Sequence, residues 1–244
     1  MSTHAVPPST RGVDSRAPVR LDHFLLRGVD TDIALVEGTT FLTYGALRAA
    51  VQARALQLDD DAEPGPLLVE MSSDLPSVVT YLAALALHRP VLLVEPGADA
   101  AGRRTEIAER YTGPTPTHPD LALLLSTSGS TGSPKLVRLS RDNVLSNAAS
   151  IADYLDLRPT DRGITTLPLH YCYGLSVLHS HLVAGAAIVL TDLSVADACF
   201  WDLVAHTGVT GLAGVPYTYE LLEASGFSDR DLPGLRYLTQ AGGR

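Results

Sequence analysis

Apolar and polar residues alternate in blocks along the chain, as they do in proteins that mix strands with helices. Runs such as 91–94 and 121–125 are apolar without a break, which is typical of strands covered on both faces. Between such runs, apolar residues recur at helical spacing, as Leu47, Val51 and Ala55 do. The pattern predicts an α/β fold of mostly parallel sheets flanked by helices.

Strands and helices are predicted to follow one another through most of the chain. The predicted strands cover 32–37, 40–43, 67–71, 91–94, 121–125, 163–167, 186–191, 211–215 and 235–239. The predicted helices cover 44–58, 75–88, 101–111, 143–155, 175–183, 195–206 and 217–224. The first two strands should form a hairpin around Gly38 and Thr39. Ser140 or Asp142 should cap the helix that begins at residue 143.

Proline and glycine suggest how the chain is divided. The proline-rich connection at 112–119 is the best internal boundary. We therefore predict a mobile tail at 1–19, a first α/β subdomain at 20–118 and a second at 119–244. The sequence stops in a glycine-containing loop just after the last predicted strand, so we expect the N-terminal portion of a longer protein.

Composition argues against several classes of function. With 18 basic against 27 acidic residues, the chain has a net charge of −9 and no basic cluster, which argues against nucleic-acid binding. No apolar run reaches the ~18 residues of a membrane span, and residues 1–18 lack the apolar core of a signal peptide. Cys172 and Cys199 fit neither a disulfide framework nor a metal-ligand spacing. We expect a cytoplasmic protein with reduced cysteines and no metal site.

A loop rich in small residues follows the apolar strand 121–125. Gly129 and Gly132 let the backbone approach a ligand and turn its N–H groups inward. Lys135 ends the loop with a positive charge that can neutralise phosphate. Five hydroxyl groups can donate hydrogen bonds to phosphate oxygens, those of Ser126, Thr127, Ser128, Ser130 and Thr131. The loop has the chemistry of a polyphosphate-binding site.

Two other interpretations compete for this loop. A Ser/Thr/Gly run is often only a flexible connection. A Walker loop does not fit, because Pro134 stands where its second glycine would be. Lys135 is the single lysine among the 18 basic residues, which suggests that its compact ammonium group is needed there.

The order of residues at 127–135, Thr-Ser-Gly-Ser-Thr-Gly-Ser-Pro-Lys, closely resembles the signature of the adenylate-forming superfamily. That superfamily includes acyl- and aryl-CoA synthetases, firefly luciferase and the adenylation domains of nonribosomal peptide synthetases. Further segments resemble the family in order and spacing, at 41–47 ("LTYxEL"), 87–96 ("AGxxxVPLDP"), 139–143 ("LTHxN", with Arg141 for histidine) and 239–243. The last of these is similar to the start of the adenine-contacting loop, at Gly242 and Gly243.

A second segment, at 168–175, is similar to the family's "PLFHxxG" segment, which helps to form the carboxylate pocket. Tyr171 stands at its histidine position and His170 at its phenylalanine position. Tyr217 lies in a segment similar to one that enters a pocket-lining helix. For these residues, packing within the protein is the alternative. His179 and His181 diverge by about 200° on a helix, so helix packing or surface exposure explains them better than a shared metal.

The resemblance implies a two-step ligase that uses ATP with Mg. A carboxylic acid becomes an acyl-adenylate, and the thiol of CoA or of an acyl or peptidyl carrier protein then takes the acyl group. Leu136 departs from the family's usual glycine. The family's "YGxTE" segment, ribose-binding aspartate and catalytic lysine would all follow Arg244, so no catalytic residue is predicted here and residues 1–244 alone should show no turnover. The alternative is a non-catalytic regulatory or interaction module derived from such an enzyme.

Overall fold

Strands and helices alternate through the residues that the computed structural model describes, which are 23–60, 65–113, 118–126 and 135–242. The strands are β1 (Ile33–Glu37), β2 (Thr40–Thr43), β3 (Leu67–Glu70), β4 (Val91–Val94), β5 (Leu121–Ser126), β6 (Leu136–Ser140), β7 (Arg162–Ile164), β8 (Ala187–Leu190), β9 (Gly211–Gly214) and β10 (Tyr237–Gln240). The helices are α1 (Tyr44–Asp60), α2 (Leu75–Ala86), α3 (Ala101–Tyr111), α4 (Arg141–Tyr154), α5 (Cys172–Ala184), α6 (Ala198–Thr207) and α7 (Pro216–Ala224).

The described strands form two sheets, and each is parallel except for one antiparallel edge strand. The larger sheet has the order β10-β9-β7-β8-β1-β2, and the smaller one has the order β3-β4-β5-β6. The edge strands β2 and β6 each pair with the strand just before them in sequence, so each closes a hairpin. The predicted α/β fold of mostly parallel sheets is confirmed.

Local signals located several elements correctly. Glu37 pairs with Thr40, which confirms the predicted turn at Gly38 and Thr39. Of the two proposed caps of α4, Ser140 fills the role: its Oγ accepts from the Asn143 backbone, and the Asn143 side chain accepts from the Ser140 backbone. The strand β6 was not predicted, because Arg138 interrupts its apolar residues and leaves at most two of them in succession. The predicted phosphate loop therefore joins two paired strands.

Sheet membership does not follow the order of the chain. β1 and β2 join the later strands β7 to β10, whereas β5 and β6 join the earlier strands β3 and β4. The predicted subdomains 20–118 and 119–244 therefore do not coincide with the two sheets. Hydrogen bonding between distant strands, rather than chain order, decides this arrangement.

One apolar cluster holds the two sheets together. It contains residues of α1, α2 and α5 with strand residues of both sheets, among them Leu35 and Leu123. Two buried tyrosines add directed contacts within it. The Tyr44 hydroxyl donates to the Ala186 carbonyl at 2.7 Å, and the Tyr81 hydroxyl lies 2.8 Å from Nε2 of His179. The cluster fixes both sheets relative to each other.

The amino ends of β7, β9 and β10 carry a polar network around Asp161, which is 2% exposed. Its carboxylate accepts from the Thr210 hydroxyl at 2.9 Å, from the Arg158 backbone at 2.8 Å and from the Arg236 guanidinium. Burial by itself raises the pKa of Asp161, but the hydrogen bonds from Arg236, Arg158 and Thr210 outweigh it and leave this pKa below its ordinary value. Asp161 is therefore a paired, ionised group that ties β7, β9 and β10 together.

Candidate nucleotide and carboxylate site

The predicted phosphate loop spans the gap between β5 and β6. Ser126 pairs with Leu136, so the nine residues 127–135 connect the two strands. Thr127, Ser128, Gly129, Ser130, Thr131 and Gly132 lie outside the described residues. Lys135 is described and exposed, directly before β6. The structure therefore gives the two anchors of the loop.

The loop starts beside a cavity of about 540 Å³ at the carboxyl ends of the strands. Leu125 of β5 pairs in parallel with Leu93 of β4, and Glu95, two residues further along, lines that cavity. We call it the edge cavity. Its walls come from segments that follow five strands of the two sheets, within 71–73, 95–96, 165–170, 191–195 and 215–221. Ligands of α/β proteins bind at this edge of the sheet.

His170 lines the edge cavity and has one unpaired polar atom. Its Nδ1 is buried, and no hydrogen-bond partner for it lies within the part of the chain that the structure describes. Leaving a buried polar atom unpaired costs about 1–3 kcal/mol. Other polar groups of the same wall are paired, since the Thr165 hydroxyl donates to the Thr191 carbonyl at 2.8 Å.

A second cavity, of about 530 Å³, lies between helices α4 and α5 and the strands β9 and β10. We call it the α5 groove. It follows β10 from Gly242, at the carboxyl edge, back to Tyr237. Tyr171 lines it at the carboxyl edge, where a Cβ added to Gly242 would lie 3.5 Å from the Tyr171 hydroxyl.

The predicted pocket residues separate into these two cavities. His170 and Tyr217 line the edge cavity, whereas Tyr171 lines the α5 groove. Tyr217 is 64% exposed and Tyr171 37% exposed. Because residues 170 and 171 are adjacent in sequence, the two cavities lie on either side of one short segment before α5. Of the predicted nucleotide-loop residues, Gly242 lines the groove and Gly243 lies outside the described residues.

The structure adds residues that the sequence analysis did not assign to a site. Tyr173 lines the α5 groove and donates its hydroxyl hydrogen bond to Thr239 at 2.8 Å. Tyr237 and His181 meet in the groove, with 2.7 Å between the phenol oxygen and Nε2. The sequence contains a signal for this contact. Glycines at buried strand positions, here Gly163 and Gly211, often mark a place where another group approaches the strand closely.

The two histidines of α5 serve helix packing, as one of the two alternatives predicted. His179 contacts Tyr81 and His181 contacts Tyr237. Both imidazoles are buried. Within the described ranges, no group of three His, Cys, Asp or Glu side chains could hold a metal ion. None of the described helices is both long and apolar enough to cross a membrane.

The two mostly parallel sheets with flanking helices define an α/β protein, and the edge cavity lies at the carboxyl ends of its strands. The family model described as AMP-binding enzyme matches residues 73–244, which is more than half of the chain. The chain therefore belongs to the AMP-binding enzymes, the adenylate-forming superfamily that the motif at 127–135 predicted.

Individual relatives agree with this assignment. The chain is 34% identical over 137 residues to the sulfoacetate–CoA ligase of Cupriavidus necator, a match of 55% of this chain and 27% of that protein. It is 33% identical over 128 residues to the medium-chain fatty-acid–CoA ligase of Escherichia coli, a match of 52% of this chain and 23% of that protein. The matches thus span about a quarter of these curated relatives.

Among solved structures, the fold is similar to that of the O-succinylbenzoate Coenzyme A synthetase (MenE) of Bacillus subtilis in complex with AMP. The TM-score is 0.72 at 21% sequence identity, and the match covers 91% of this chain and 54% of that one. At this identity the similarity establishes the fold alone.

Proposed function

We propose that this chain forms the triphosphate-binding and acid-binding part of an ATP-dependent carboxylate-activating ligase. The observation that carries the proposal is the β5–β6 hairpin. Its connection holds the sequence Thr-Ser-Gly-Ser-Thr-Gly-Ser-Pro-Lys, and it starts at a strand end beside the edge cavity. A tight turn would suffice to join two paired strands, so the extra residues require another explanation.

The proposed reaction has two steps. An oxygen of the carboxylate attacks the α-phosphorus of ATP, which enters with its Mg²⁺, and pyrophosphate leaves as the acyl-adenylate forms. A thiol then attacks the acyl carbonyl, loses its proton and releases AMP. Both curated relatives described above are named CoA ligases, which favours CoA over a carrier protein as the acceptor.

In the first step, the loop residues would have two tasks, which are to bind the phosphates and to neutralise part of their charge. Thr127, Ser128, Gly129, Ser130, Thr131 and Gly132 would supply hydrogen-bond donors to the β- and γ-phosphates. Lys135 would neutralise part of their charge and hold them for in-line attack. Gly242 and Gly243 would begin the nucleotide loop.

The acid would lie in the α5 groove, with its carboxylate near Tyr171 at the carboxyl edge. His170 and Tyr217 would form the adjoining wall of the edge cavity. The unpaired Nδ1 of His170 supports this assignment, because a buried imidazole nitrogen gains a partner when a ligand binds.

A substitution of Lys135 tests the proposal in the protein that carries this sequence. We expect Lys135→Ala to lower ATP–pyrophosphate exchange about 10²–10³-fold, the range found when one donor to a developing charge is removed. Because Lys135 is exposed, the free energy of unfolding should change by less than about 0.5 kcal/mol. Lys135→Arg is the matched control, since it keeps the charge and should retain part of the activity.

Undiminished exchange by the Lys135→Ala variant would overturn the role given to the loop. The expectation that residues 1–244 alone show no turnover stays a prediction. The same exchange assay on the isolated chain tests it, and exchange at an ordinary enzymatic rate would contradict it.

A further inference from the structure

We infer that the α5 groove selects monocarboxylic acids with an uncharged, largely apolar tail, and that Tyr237 limits the length of this tail. The inference rests on the proposed function, in which this groove holds the acid. It names the class of acid and the residue that limits the length of its tail.

Two glycines on neighbouring strands make room for the end wall of the groove. Gly163 of β7 and Gly211 of β9 pair side by side. A Cβ added to Gly211 would lie 2.0 Å from Cζ of Tyr237, and one added to Gly163 would lie 2.7 Å from Nε2 of His181. The phenol and imidazole rings therefore occupy the space that two side chains of the sheet would otherwise fill.

Hydrogen bonds fix both rings in this position. Nδ1 of His181 lies 2.8 Å from the Val177 carbonyl, which can only accept, so Nδ1 carries the proton. Nε2 must then accept the hydrogen bond from the Tyr237 hydroxyl, at 2.7 Å. Because both nitrogens of the imidazole are engaged, Tyr237 is held from one side by His181 and lies over Gly211 on the other. The end wall is rigid.

His181 and Tyr237 carry no charge at neutral pH, and the charged groups that act on them, Asp161 and Arg236, are paired with each other. Burial lowers the pKa of His181 to about 4, although the hydrogen bond to Val177 opposes this shift. Burial also raises the pKa of Tyr237 above its ordinary value. Both side chains are therefore neutral between about pH 5 and 9.

The other described residues of the groove offer no charge to a ligand either. Among the described residues that line the α5 groove, none is Lys, Arg, Asp or Glu. Two of its hydroxyls already donate within the protein, from Ser176 to the Tyr173 carbonyl at 2.8 Å and from Ser180 to the Val177 carbonyl at 3.1 Å. A second carboxylate or a sulfonate on the acid would lose its hydration here without gaining a cation.

The first experiment measures which acids support ATP–pyrophosphate exchange by the protein that carries this sequence. The panel contains straight-chain and aryl monocarboxylic acids of increasing length, each with a dicarboxylic or sulfonated counterpart of the same length. We expect kcat/KM to be at least about 100-fold higher for the uncharged member of each pair. The free energy needed to move an unpaired charge out of water is larger than the free energy that corresponds to this ratio.

The second experiment tests Tyr237 as the length limit. We expect Tyr237→Ala to raise the ratio of kcat/KM for long acids to that for short acids at least about tenfold, because a longer tail can bury additional methylene groups. Tyr237→Phe keeps the ring and should keep the limit. Tyr111→Ala, at the end of α3, is the matched control and should leave the length profile unchanged.

A second variant, at the side of the groove, tests the same inference if the Tyr237→Ala protein does not fold. Ser176 lines the groove and is only partly buried, so Ser176→Phe should narrow it and favour shorter acids. Preference for charged tails, or length profiles of Tyr237→Ala and Ser176→Phe that match the wild type, would overturn the inference while leaving the proposed function intact. Absence of exchange with every acid would instead sink the proposed function, and this inference with it.

Discussion

The two edges of the larger sheet use polar residues in opposite ways. At the amino edge, the buried carboxylate of Asp161 is paired with Thr210, Arg158 and Arg236. At the carboxyl edge, the buried Nδ1 of His170 has no partner within the described ranges, and the edge cavity opens beside it. Both edges contain buried polar atoms. Those of Asp161 have hydrogen-bond partners, whereas Nδ1 of His170 has none among the described residues.

This difference separates stability from binding. A buried polar group with its partners contributes to the folded state, whereas an unpaired one costs stability until a ligand arrives. Substitutions in the Asp161 network should therefore change the free energy of unfolding and leave activity per folded molecule intact. Substitutions at the carboxyl edge should do the reverse.

The largest effect should come from removing the long connection at the carboxyl edge. Replacing residues 127–135 by Asn-Gly would convert the β5–β6 hairpin into a tight one like β1–β2, whose turn is Gly38-Thr39. We expect pyrophosphate exchange to fall by at least about 10³-fold, because every proposed phosphate contact is lost. The free energy of unfolding should stay the same or rise by about 1 kcal/mol, because a shorter loop closes at lower entropic cost.

The matched control changes the other hairpin. Replacing Gly38-Thr39 by Asn-Gly keeps a two-residue turn and should leave exchange unchanged. Denaturant unfolding followed by circular dichroism, together with the exchange assay, measures both variants. If the shortened β5–β6 hairpin retained its exchange rate, the contrast between the two edges would no longer hold.

At the amino edge, Asp161→Asn should lower the free energy of unfolding by about 1.5–3 kcal/mol, the range for hydrogen bonds to charged groups. Exchange per folded molecule should not change. Asp156→Asn is the matched control. Asp156 pairs with Arg158 but is 71% exposed, so its substitution should cost no more than about 1 kcal/mol. Equal losses in the two variants, measured by urea denaturation, would contradict the special role of Asp161.

The pH dependence of the unfolding free energy, compared between the wild type and Asp161→Asn, provides a sharper test. Because the pKa of Asp161 is lower in the folded state than in the unfolded state, its contribution is fully present above the unfolded value of about 3.9 and is lost as the pH falls through the folded-state value. The difference in unfolding free energy between the wild type and Asp161→Asn should be constant from pH 6 to 8 and narrow below about pH 4. A difference that widened in acid would reverse the assigned sign.

The smallest effect should come from His170→Phe at the carboxyl edge. Removing an unpaired buried nitrogen should leave the free energy of unfolding unchanged or raise it by about 1 kcal/mol. If Nδ1 contacts a ligand, KM for ATP or for the acid should rise about tenfold, which corresponds to one hydrogen bond. Thermal unfolding and steady-state kinetics measure the two quantities. An unchanged KM for both would remove His170 from the proposed site.

Local features made much of the fold predictable. The turn at Gly38-Thr39, the bounds of α3 and the cap at Ser140 depend on residues within a few positions of one another, and all three agree with the structure. β6 was missed because Arg138 interrupts the apolar residues of this short edge strand. For the site, the phosphate-binding role of the loop at 127–135 stays a prediction, and the motif could not separate His170 from Tyr171, which line different cavities. The direction of each side chain depends on how the segment before α5 packs.

By itself, the sequence determined most of the strands and helices and the family, and it predicts a phosphate-binding role for the loop at 127–135. These follow from periodicity and from residue types at fixed spacing, which act over short distances along the chain. Only the tertiary structure decided which strands share a sheet and where the α5 groove ends. Tyr237 and His181 are 56 residues apart in sequence, and they meet because strand pairing places two glycines beneath them.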